Sequence, residues 1–340
     1  MAQERLVAVS YPVDEEFVRM NSEVLAGDAE VVYTYELNDA GRTQMVQRAD
    51  ALLAWDLSEE IPARALQDRS RLRFAQLLSA GVDAVDFSAL PQWLTVASNA
   101  GAYANAVSEH VLAMTLSLAK HLPQRHAALA AGRFDKWAPS LALDGAICTI
   151  LGFGGIGTAT ARLMSAFGAR IYAVNRSGQS TEPTEFVGSL ADLDDVLAVA
   201  DILVISLPLT VATRGLIGAR ELALMKPTAI LVNVARGPLV DQRALYEHLR
   251  AHPEFSAGID TWWSEPTGDT GGSGDTAFRP DYPFLDLPNV LGSPHNSSIV
   301  PGTMLAAARL AADNIRRYLR GEAVTGLVRR SDYVPGNAAS

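Results

Sequence analysis

The stretch that most constrains the fold of this chain begins at Ala146 and has the sequence Ala-Ile-Cys-Thr-Ile-Leu-Gly-Phe-Gly-Gly-Ile-Gly. Its first half is apolar and favours a buried strand. From Thr158 to Phe167 the apolar residues recur at helical spacing, and Gly168 follows as a C-terminal cap. A strand, a Gly-x-Gly-x-x-Gly turn and a helix in this order form the fingerprint of a dinucleotide-binding domain.

Each glycine of the turn has a separate task in that fingerprint. Gly152 permits the tight turn, Gly154 lets the backbone approach a pyrophosphate, and Gly157 lets the helix pack close to the strand. The N–H groups at the start of the helix, together with the positive end of its dipole, favour an anion there. The sequence therefore predicts that this turn holds the phosphates of a dinucleotide cofactor.

The composition of the chain excludes several classes of protein. The chain has 340 residues, and 49% of them are hydrophobic, which is typical of a globular protein with about two domains. A formal net charge of -10 disfavours a nucleic-acid partner, because phosphate backbones need a basic surface. Cys148 is the only cysteine, so no disulfide forms within the chain. We find no zinc-like spacing, no signal-peptide core and no apolar run that spans a membrane, so we expect a cytoplasmic protein without a metal or a membrane partner.

Before the fingerprint, strand-like and helix-like segments alternate on a short period, which predicts a small α/β unit with a mostly parallel sheet. The predicted strands are Leu6–Val9, Val31–Tyr35, Ala51–Trp55, Phe74–Leu78 and Leu94–Ala97. The predicted helices are Glu15–Leu25, Arg42–Arg48 and Pro62–Asp68. A long helix near Val107–Leu122 then leads towards the fingerprint. It carries His110, which we expect to be a hydrogen-bonded core or interface residue rather than a catalyst.

After the fingerprint the alternation continues with longer units, which predicts a doubly wound dinucleotide-binding domain. The predicted strands are Arg170–Val174, Ile202–Leu207, Ala229–Val234, Ala257–Thr261 and Asn289–Gly292. The predicted helices are Ala191–Ala200, Ala219–Met225, Gln242–His252 and, at the end of the chain, Gly302–Arg320. The predicted fold class is therefore α/β, with two doubly wound parallel sheets.

The residues after the second strand of this domain bear on the choice of dinucleotide. A domain that prefers NAD usually carries an Asp or Glu there, which binds the ribose 2′-hydroxyl. This chain has Asn175, Arg176 and Ser177 instead. Asn175 does not repel a phosphate, Arg176 can pair with one through its guanidinium, and Ser177 adds a hydroxyl. We therefore expect NADP(H) to be favoured, with NAD(H) as the alternative if Arg176 only stacks on the adenine or points to solvent.

Three polar residues follow predicted strands at the edge of the sheet where the cofactor must lie. They are Arg236, Glu265 and His295. Together they supply what the reduction of a 2-keto acid needs. A histidine donates the proton to the carbonyl oxygen, a carboxylate orients that histidine and favours its charged form, and an arginine binds the substrate carboxylate and polarises the carbonyl.

A further candidate follows the fourth strand of the first unit. Ligands of parallel α/β units lie beyond the carboxyl ends of the strands. The N–H groups around Ala80 and Gly81 can therefore hold the rest of the substrate carboxylate, or they belong to an ordinary surface turn.

At this point the chain resembles the D-isomer-specific 2-hydroxyacid dehydrogenases, in particular the glyoxylate/hydroxypyruvate reductases. The likeness extends from about residue 5 to about residue 325. The motifs that carry it are Leu151–Gly157, Leu207–Ile217, Leu231–Gly237, the pair Asp260 and Glu265, and Pro294-His295.

The resemblance implies a Rossmann cofactor domain, residues 102–295, and a flavodoxin-like split substrate domain, residues 1–101 plus 296–340, with a cleft between them. It makes Arg236, Glu265 and His295 the catalytic set, and it places Ala80, Gly81, Arg236 and His295 on the substrate. It also implies a homodimer formed around the helix near residues 104–122. The cofactor contacts that it implies are Gly152, Gly154, Gly155, Ile156, Gly157, Asn175, Arg176, Ser177, Leu207, Pro208, Thr213, Val234, Ala235, Asp260 and Ser298.

This chain departs from the family's usual pattern in three places. Residues 267–283 are longer than usual, Asn296 and Ser297 replace a small apolar pair after the histidine, and Trp262-Trp263 is unusually bulky, so that one ring could narrow the pocket towards small substrates. The leading hypothesis is a reductase of small 2-keto acids, such as glyoxylate or hydroxypyruvate, that also acts in reverse as a D-2-hydroxyacid dehydrogenase. The alternatives are a phosphite-type dehydrogenase on the same scaffold and a non-catalytic nucleotide-sensing protein.

Overall fold

Two parallel β-sheets, one of five strands and one of seven, form the cores of two units. They belong to a computed structural model that describes residues 5–66, 70–266 and 278–334. Contacts between Cα atoms divide the chain after Tyr103 and again after Ile299. The first unit therefore draws on both ends of the chain, and the second unit is the continuous segment between them. The predicted fold class, α/β with two parallel-sheet domains, is confirmed.

The first unit has the strand order β2-β1-β3-β4-β5, which is the flavodoxin-like order. Its strands are β1 (Leu6–Val9), β2 (Glu30–Tyr33), β3 (Ala51–Ala54), β4 (Phe74–Leu77) and β5 (Thr95–Ala97). Its α-helices are α1 (Glu15–Leu25), α2 (Asp39–Arg48), α3 (Leu57–Glu60) and α10 (Thr303–Arg320), with short 3-10 turns at Ala63–Leu66 and Arg330–Asp332.

Helices cover the faces of this sheet, so β1, β3 and β4 are buried along their whole length. Helices α1, α2 and α3 each begin at a side-chain cap, provided by Asp14, Asn38 and Asp56 respectively. Helix α10 packs against α1, β3 and β4 through a buried stripe that includes Ala307 and Ala311, whose small side chains allow a close approach.

The second unit has the order β12-β11-β10-β9-β6-β7-β8. Counted from the fingerprint strand, this is the Rossmann order with one strand added at an edge. Its strands are β6 (Ile147–Leu151), β7 (Arg170–Val174), β8 (Phe186–Gly188), β9 (Ile202–Ile205), β10 (Ile230–Asn233), β11 (Ser256–Ile259) and β12 (Val290–Gly292). Its α-helices are α4 (Ala104–Ala119), α5 (Leu122–Ala130), α6 (Gly155–Ala166), α7 (Leu193–Val199), α8 (Ala219–Leu224) and α9 (Gln242–Ala251), with 3-10 turns at Leu190–Asp192, Gly237–Leu239 and Phe284–Asp286.

Secondary structure differs from the prediction in several places, among them helix α5, which was not predicted. The helix expected over Pro62–Asp68 is wrong for the described part of that range, because Asp56 caps a helix that starts at Leu57 and a 3-10 turn follows at Ala63–Leu66. Strand β8 was not predicted, since three residues at a sheet edge give little periodic signal. Helix α6 begins at Gly155 rather than at Thr158, so it includes part of the glycine turn.

Other predictions lie partly or wholly outside the described residues. These include the last two residues of the predicted helix Pro62–Asp68 and most of the long passage 267–283, of which 278–283 is described. Among the described helices, none combines the length and apolar character that crossing a bilayer requires.

Candidate active site

The site of the second unit is built on a single row of residues that crosses five parallel strands. Leu151 pairs with Ile205, Ile205 with Asn233, Asn233 with Ile259, and Ile259 with Gly292. Because the strands are parallel, the chain leaves the sheet at the same edge after each of these residues. The glycine turn, the Arg236 loop, the Asp260–Glu265 loop and the His295 loop therefore all start from this edge.

The glycine turn has the geometry that a dinucleotide pyrophosphate requires. A Cβ at position 157 would overlap the carbonyl oxygen of Gly152, so only glycine lets α6 pack this close to β6. A Cβ at position 154 would meet nothing within 4 Å, so the space outside the turn is open to a ligand. Within the described residues, no side chain caps the start of α6. Its terminal N–H groups are thus offered to an anion, and the residues fit the cofactor.

The loop after β7 is held by its own side chains. The Asn175 side-chain oxygen accepts from the N–H groups of Ser177 and Gly178, at 3.0 and 2.8 Å, and from the Ser177 hydroxyl at 3.0 Å. The Asn175 amide donates to the Gln179 carbonyl at 2.7 Å. Arg176 is exposed at the tip of this loop. Asn175 therefore shapes the loop, and Arg176 is one of its exposed side chains.

The turn after β9 is likewise ordered from within. The Thr213 hydroxyl donates to the Pro208 carbonyl at 2.7 Å and accepts from the Thr210 N–H at 2.9 Å. The Ser206 hydroxyl donates to the Gly152 carbonyl at 2.7 Å, which ties this turn to the glycine turn. Leu207 is half-buried beside them. These predicted cofactor contacts thus lie next to the phosphate turn.

Arg236 leaves the end of β10 and is half-buried. The Asn233 amide donates to the Arg236 carbonyl at 2.9 Å and fixes the backbone of this loop. Gly237 follows, and a Cβ at this position would overlap the backbone of Trp262. The lack of a side chain at 237 therefore lets the arginine loop pack directly against the loop that carries Glu265.

Glu265 and His295 form a hydrogen-bonded pair. The distance between His295 Nδ1 and Glu265 Oε2 is 2.7 Å, and the other carboxylate oxygen of Glu265 accepts from the Trp262 N–H at 2.8 Å. His295 is partly exposed, with 39% of its side chain accessible. Because Nδ1 contacts the carboxylate, Nε2 is the ring nitrogen that can exchange a proton with a substrate.

Burial raises the pKa of Glu265, but the hydrogen bond with His295, the Trp262 N–H and the positive charge of Arg236 together outweigh it. The pKa of this carboxyl therefore lies below its ordinary value. Glu265 is thus ionised at neutral pH and presents a negative charge to the imidazole ring.

The backbone of His295 is strained and is anchored by Asp260. His295 has a φ of 51°, in the left-handed region that a non-glycine residue seldom adopts. Its N–H donates to the Asp260 carbonyl at 2.8 Å. The N–H groups of Asn296 and Ser297 approach the Asp260 carboxylate at 3.2 and 3.4 Å. Asp260 is fully buried, and it fixes the loop that carries the histidine.

Both tryptophans of the Trp262-Trp263 pair contribute to structure. The Trp262 indole N–H donates to the Ser293 carbonyl at 2.9 Å, and the Trp263 indole N–H donates to the Val240 carbonyl at 2.7 Å. The Trp263 ring stacks on Phe284 with 5.3 Å between the ring centroids. Trp262 thus joins the glutamate loop to the histidine loop.

The other predicted cofactor residues of this unit lie at the same edge. Val234 and Ala235 are buried directly after β10, and Ser298 is half-buried in the histidine loop. Gly155 and Ile156 are the first two residues of α6.

The predicted substrate residues Ala80 and Gly81 lie in the first unit, after the end of β4. The Ser79 hydroxyl donates to the Gly81 carbonyl at 2.9 Å and so orders this turn. Both Ala80 and Gly81 are half-buried. Nearby along the sheet edge, Trp55 follows β3 and is exposed.

The sequence reasoning missed the contact between His110 and the histidine loop. His110 Nε2 lies 2.9 Å from the hydroxyl oxygen of Ser293, 183 positions further along the chain. His110 was expected to be a hydrogen-bonded core or interface residue, and no local pattern indicates its partner. The packing of α4 against β10 and β11, together with the pairing of β11 with β12, brings the two residues together.

A doubly wound unit with an open glycine turn, beside an arginine and a carboxylate–histidine pair at one sheet edge, defines an oxidoreductase that uses a nicotinamide dinucleotide. Comparisons with known proteins give the family. Residues 112–297 match the model of the D-isomer specific 2-hydroxyacid dehydrogenase, NAD binding domain. The chain belongs to the D-isomer-specific 2-hydroxyacid dehydrogenase family, and it acts on the CH–OH group of 2-hydroxy acids.

Individual relatives agree with this assignment. A glyoxylate reductase from Aeropyrum pernix is 33% identical over 293 residues, which make up 84% of this chain and 84% of that protein. A D-3-phosphoglycerate dehydrogenase from Methanocaldococcus jannaschii is 29% identical over 329 residues, 95% of this chain and 59% of that protein. The crystal structure of a D-isomer specific 2-hydroxyacid dehydrogenase from Xanthobacter autotrophicus Py2, in complex with NADPH and MES, is similar with a TM-score of 0.77 and 27% identity, and covers 97% of this chain and 100% of that chain.

Proposed function

We propose that this enzyme reduces small 2-keto acids to D-2-hydroxy acids, with His295 as the proton donor. The observation that carries the proposal is the 2.7 Å contact between His295 Nδ1 and Glu265 Oε2. This contact orients the ring so that Nε2 faces away from the carboxylate. The ionised Glu265 also stabilises the positive charge of the protonated ring.

When bound, the reduced nicotinamide supplies the hydride that converts the carbonyl carbon to a C–H group. His295 gives the proton on Nε2 to the carbonyl oxygen, which becomes the hydroxyl of the product. Arg236 pairs with the substrate carboxylate and stabilises the negative charge that develops on the oxygen. The N–H groups of Ala80 and Gly81 are proposed to bind the rest of that carboxylate.

The open turn at Gly154 and the uncapped start of α6 support a pyrophosphate at Gly155 and Ile156. Leu207, Pro208 and Thr213 are proposed to line the adenosine side of the cofactor, and Val234, Ala235 and Ser298 the nicotinamide half. Asp260 belongs to the nicotinamide half as well, and its carboxylate also holds the histidine loop.

We propose that the enzyme prefers NADP(H). The support is that positions 175–177, directly after β7, carry no Asp or Glu and that Arg176 is exposed in a loop fixed by Asn175, with Ser177 beside it. An Arg176→Ala substitution should raise KM for NADPH about tenfold or more, because a charged pair with the phosphate is lost, and should change KM for NADH little. A wild-type enzyme with a clear preference for NADH would contradict the proposal.

The experiment that tests the function is a panel of 2-keto acids, including glyoxylate, hydroxypyruvate and bulkier analogues, assayed with NADPH and with NADH. The proposal expects the absorbance of the reduced cofactor to fall with at least one small keto acid. Cofactor binding without turnover across the panel would favour a nucleotide-sensing protein instead.

The domain roles and the assembly are also proposals. Residues 1–101 with 296–340 are assigned to the substrate and residues 102–295 to the cofactor, because the glycine turn lies in the latter segment. A homodimer around α4 and α5 is supported by α5, which has no buried residue, and by Phe134 and Trp137, which are 80% and 82% exposed. Light scattering that gives the mass of one chain would contradict the dimer. A cytoplasmic location is consistent with the single cysteine, Cys148, which is buried in β6.

A further inference from the structure

Three side chains of the second unit form a hydrogen-bonded line behind the histidine loop. His110 Nε2 lies 2.9 Å from Ser293 Oγ, and Ser293 Oγ lies 2.5 Å from Asp260 Oδ1. His110 itself is 3.7 Å from the same carboxylate oxygen. His110 comes from α4, Asp260 from the end of β11 and Ser293 from the end of β12, so the line connects a helix to two strand ends.

The direction of the hydrogen bonds follows from the number of protons. A serine hydroxyl has one proton, and Ser293 donates it to Asp260 Oδ1. The oxygen of Ser293 must therefore accept from His110. His110 must carry its proton on Nε2, whether the ring is neutral or charged, so the line runs from His110 through Ser293 to Asp260.

The end of this line is the group that fixes His295. The Asp260 carboxylate lies within reach of the N–H groups of Asn296 and Ser297, while the Asp260 carbonyl accepts from the N–H of His295. His295 needs such anchors because its backbone is in the left-handed region, with a φ of 51°. A change in the orientation of the Asp260 carboxylate would therefore move the loop that carries the proton donor.

We propose that His110 and Ser293 are positioning residues of the reductase, which hold the Asp260 carboxylate in the orientation that keeps His295 in register with Glu265. The proposal rests on the proposed role of His295. Neither His110 nor Ser293 contacts the substrate in this scheme. They act through Asp260, and we expect their effect to fall on kcat rather than on KM for the keto acid.

Kinetic measurements test the proposal with paired substitutions. Ser293→Ala and His110→Leu each break the line, whereas Ser293→Thr keeps the hydroxyl and His110→Gln keeps an N–H donor near the position of Nε2. The first two should lower kcat about tenfold with KM for the keto acid changed by less than about threefold, and the second two should restore most of kcat. A matched His252→Leu change, at an exposed residue after α9, should leave kcat and KM unchanged.

A double-mutant cycle separates the line from general packing. If the two residues act through one chain of hydrogen bonds, His110→Leu should cost almost nothing further in the Ser293→Ala background. Losses that multiply in the double variant would overturn the proposal, as would a large rise in KM with unchanged kcat. A Ser293→Thr variant as slow as Ser293→Ala would also contradict it.

A spectroscopic measurement keeps the proposal testable if the keto-acid activity itself fails. The chain has six histidines. The short Nδ1–H···Glu265 hydrogen bond of His295 should give a low-field proton in spectra of ¹⁵N-histidine-labelled protein, assigned by its loss in His295→Gln. This resonance should move or broaden in His110→Leu and Ser293→Ala and stay in place in His110→Gln and Ser293→Thr. An unchanged resonance in the first two variants would contradict the positioning role whether or not any keto acid is reduced.

Discussion

In each sheet the first strand leads through a short turn into a helix, and the two helix starts differ in whether they are open to an anion. In the first unit, the Asp14 side chain accepts from the N–H groups of Glu16 and Phe17, and Glu15 and Glu16 add negative charge to the first turn of α1. In the second unit, α6 begins at glycines, with no capping side chain and no acid in its first turn. The same topology thus produces one helix whose first N–H groups are bonded by its own capping side chain, and one whose first N–H groups are open to phosphate.

The carboxylates of the two sheet edges differ as well. Burial raises the pKa of Glu60 after β3, and hydrogen bonds from the Ser10 hydroxyl and the N–H groups of Trp55 and Asp56 do not offset it. In the second unit, burial of Glu265 is outweighed by His295, the Trp262 N–H and Arg236, and its pKa is lowered. Cationic partners therefore distinguish the carboxylate that serves the proposed chemistry from the one that orders a loop.

The largest effect is expected from Gly157→Ala, which adds a methyl group where the Gly152 carbonyl oxygen lies. We expect a loss of about 1–3 kcal/mol in the free energy of unfolding, together with loss of NADPH binding, because α6 must move away from β6. Urea unfolding measures the free energy of unfolding, and fluorescence titration with NADPH measures the affinity for the cofactor. The matched change in the first unit, Gly41→Ala in α2, should leave cofactor binding intact. An unaltered affinity in Gly157→Ala would show that the close approach is not needed.

Gly154→Ala should separate fold from binding. The added Cβ meets nothing within 4 Å, and the φ of this residue is -91°, so the free energy of unfolding should change by less than about 0.5 kcal/mol. The methyl group occupies the space that a pyrophosphate needs, and the Kd for NADPH should rise about tenfold or more. Unchanged affinity in a stable variant would place the phosphates elsewhere.

Asp14→Ala should have a smaller effect, confined to the first unit. Loss of the cap that bonds Glu16 and Phe17 should lower the free energy of unfolding by about 1 kcal/mol. Asp14→Asn, which keeps a capping oxygen, serves as the control and should lose less. If Asp14→Ala weakened NADPH binding as much as Gly154→Ala does, the contrast between the two helix ends would be wrong.

The smallest effect is a difference in the pH dependence of stability. The unperturbed pKa of a glutamate is 4.5 for both residues. Glu265 has a lowered folded pKa, so its contribution is present above pH 4.5 and is lost as the pH falls below that value. Glu60 has a raised folded pKa, so wild-type stability should fall as the pH rises above 4.5.

Urea unfolding between pH 3 and about pH 7, for Glu60→Gln and Glu265→Gln against wild type, measures these windows. The difference between wild type and Glu265→Gln should change with pH below pH 4.5, and the difference between wild type and Glu60→Gln should change above pH 4.5, with slopes of opposite sign. Parallel curves would mean that the surroundings of the two carboxyls do not differ as described.

Much of this contrast could be predicted from local sequence. The glycine turn, the apolar strands and the polar residues at strand ends all have short-range signatures, and the structure brings Arg236, Glu265 and His295 to one edge as parallel pairing requires. The role of Asn175 was harder to predict. Its side chain was expected near the cofactor, whereas the structure shows it hydrogen-bonded within its own loop.

The hydrogen bonds that link His110, Ser293 and Asp260 behind the His295 loop could not be predicted from the sequence. The His110–Ser293 contact spans 183 positions, and its partners are common residue types on separate elements. The two indole donors of Trp262 and Trp263 were likewise identifiable only as bulky side chains, since their acceptors are backbone carbonyls of other loops. Long-range packing, rather than local pattern, decides such contacts.

The central claim is that an imidazole at position 295, held by Glu265, delivers the proton. The most direct test is His295→Gln, with kcat for the best keto acid and Kd for NADPH measured on the same protein. We expect kcat to fall about 10²–10⁴-fold, as for the loss of a general acid, with Kd for NADPH changed by less than about twofold. A His295→Gln enzyme that turns over at the wild-type rate would contradict the account.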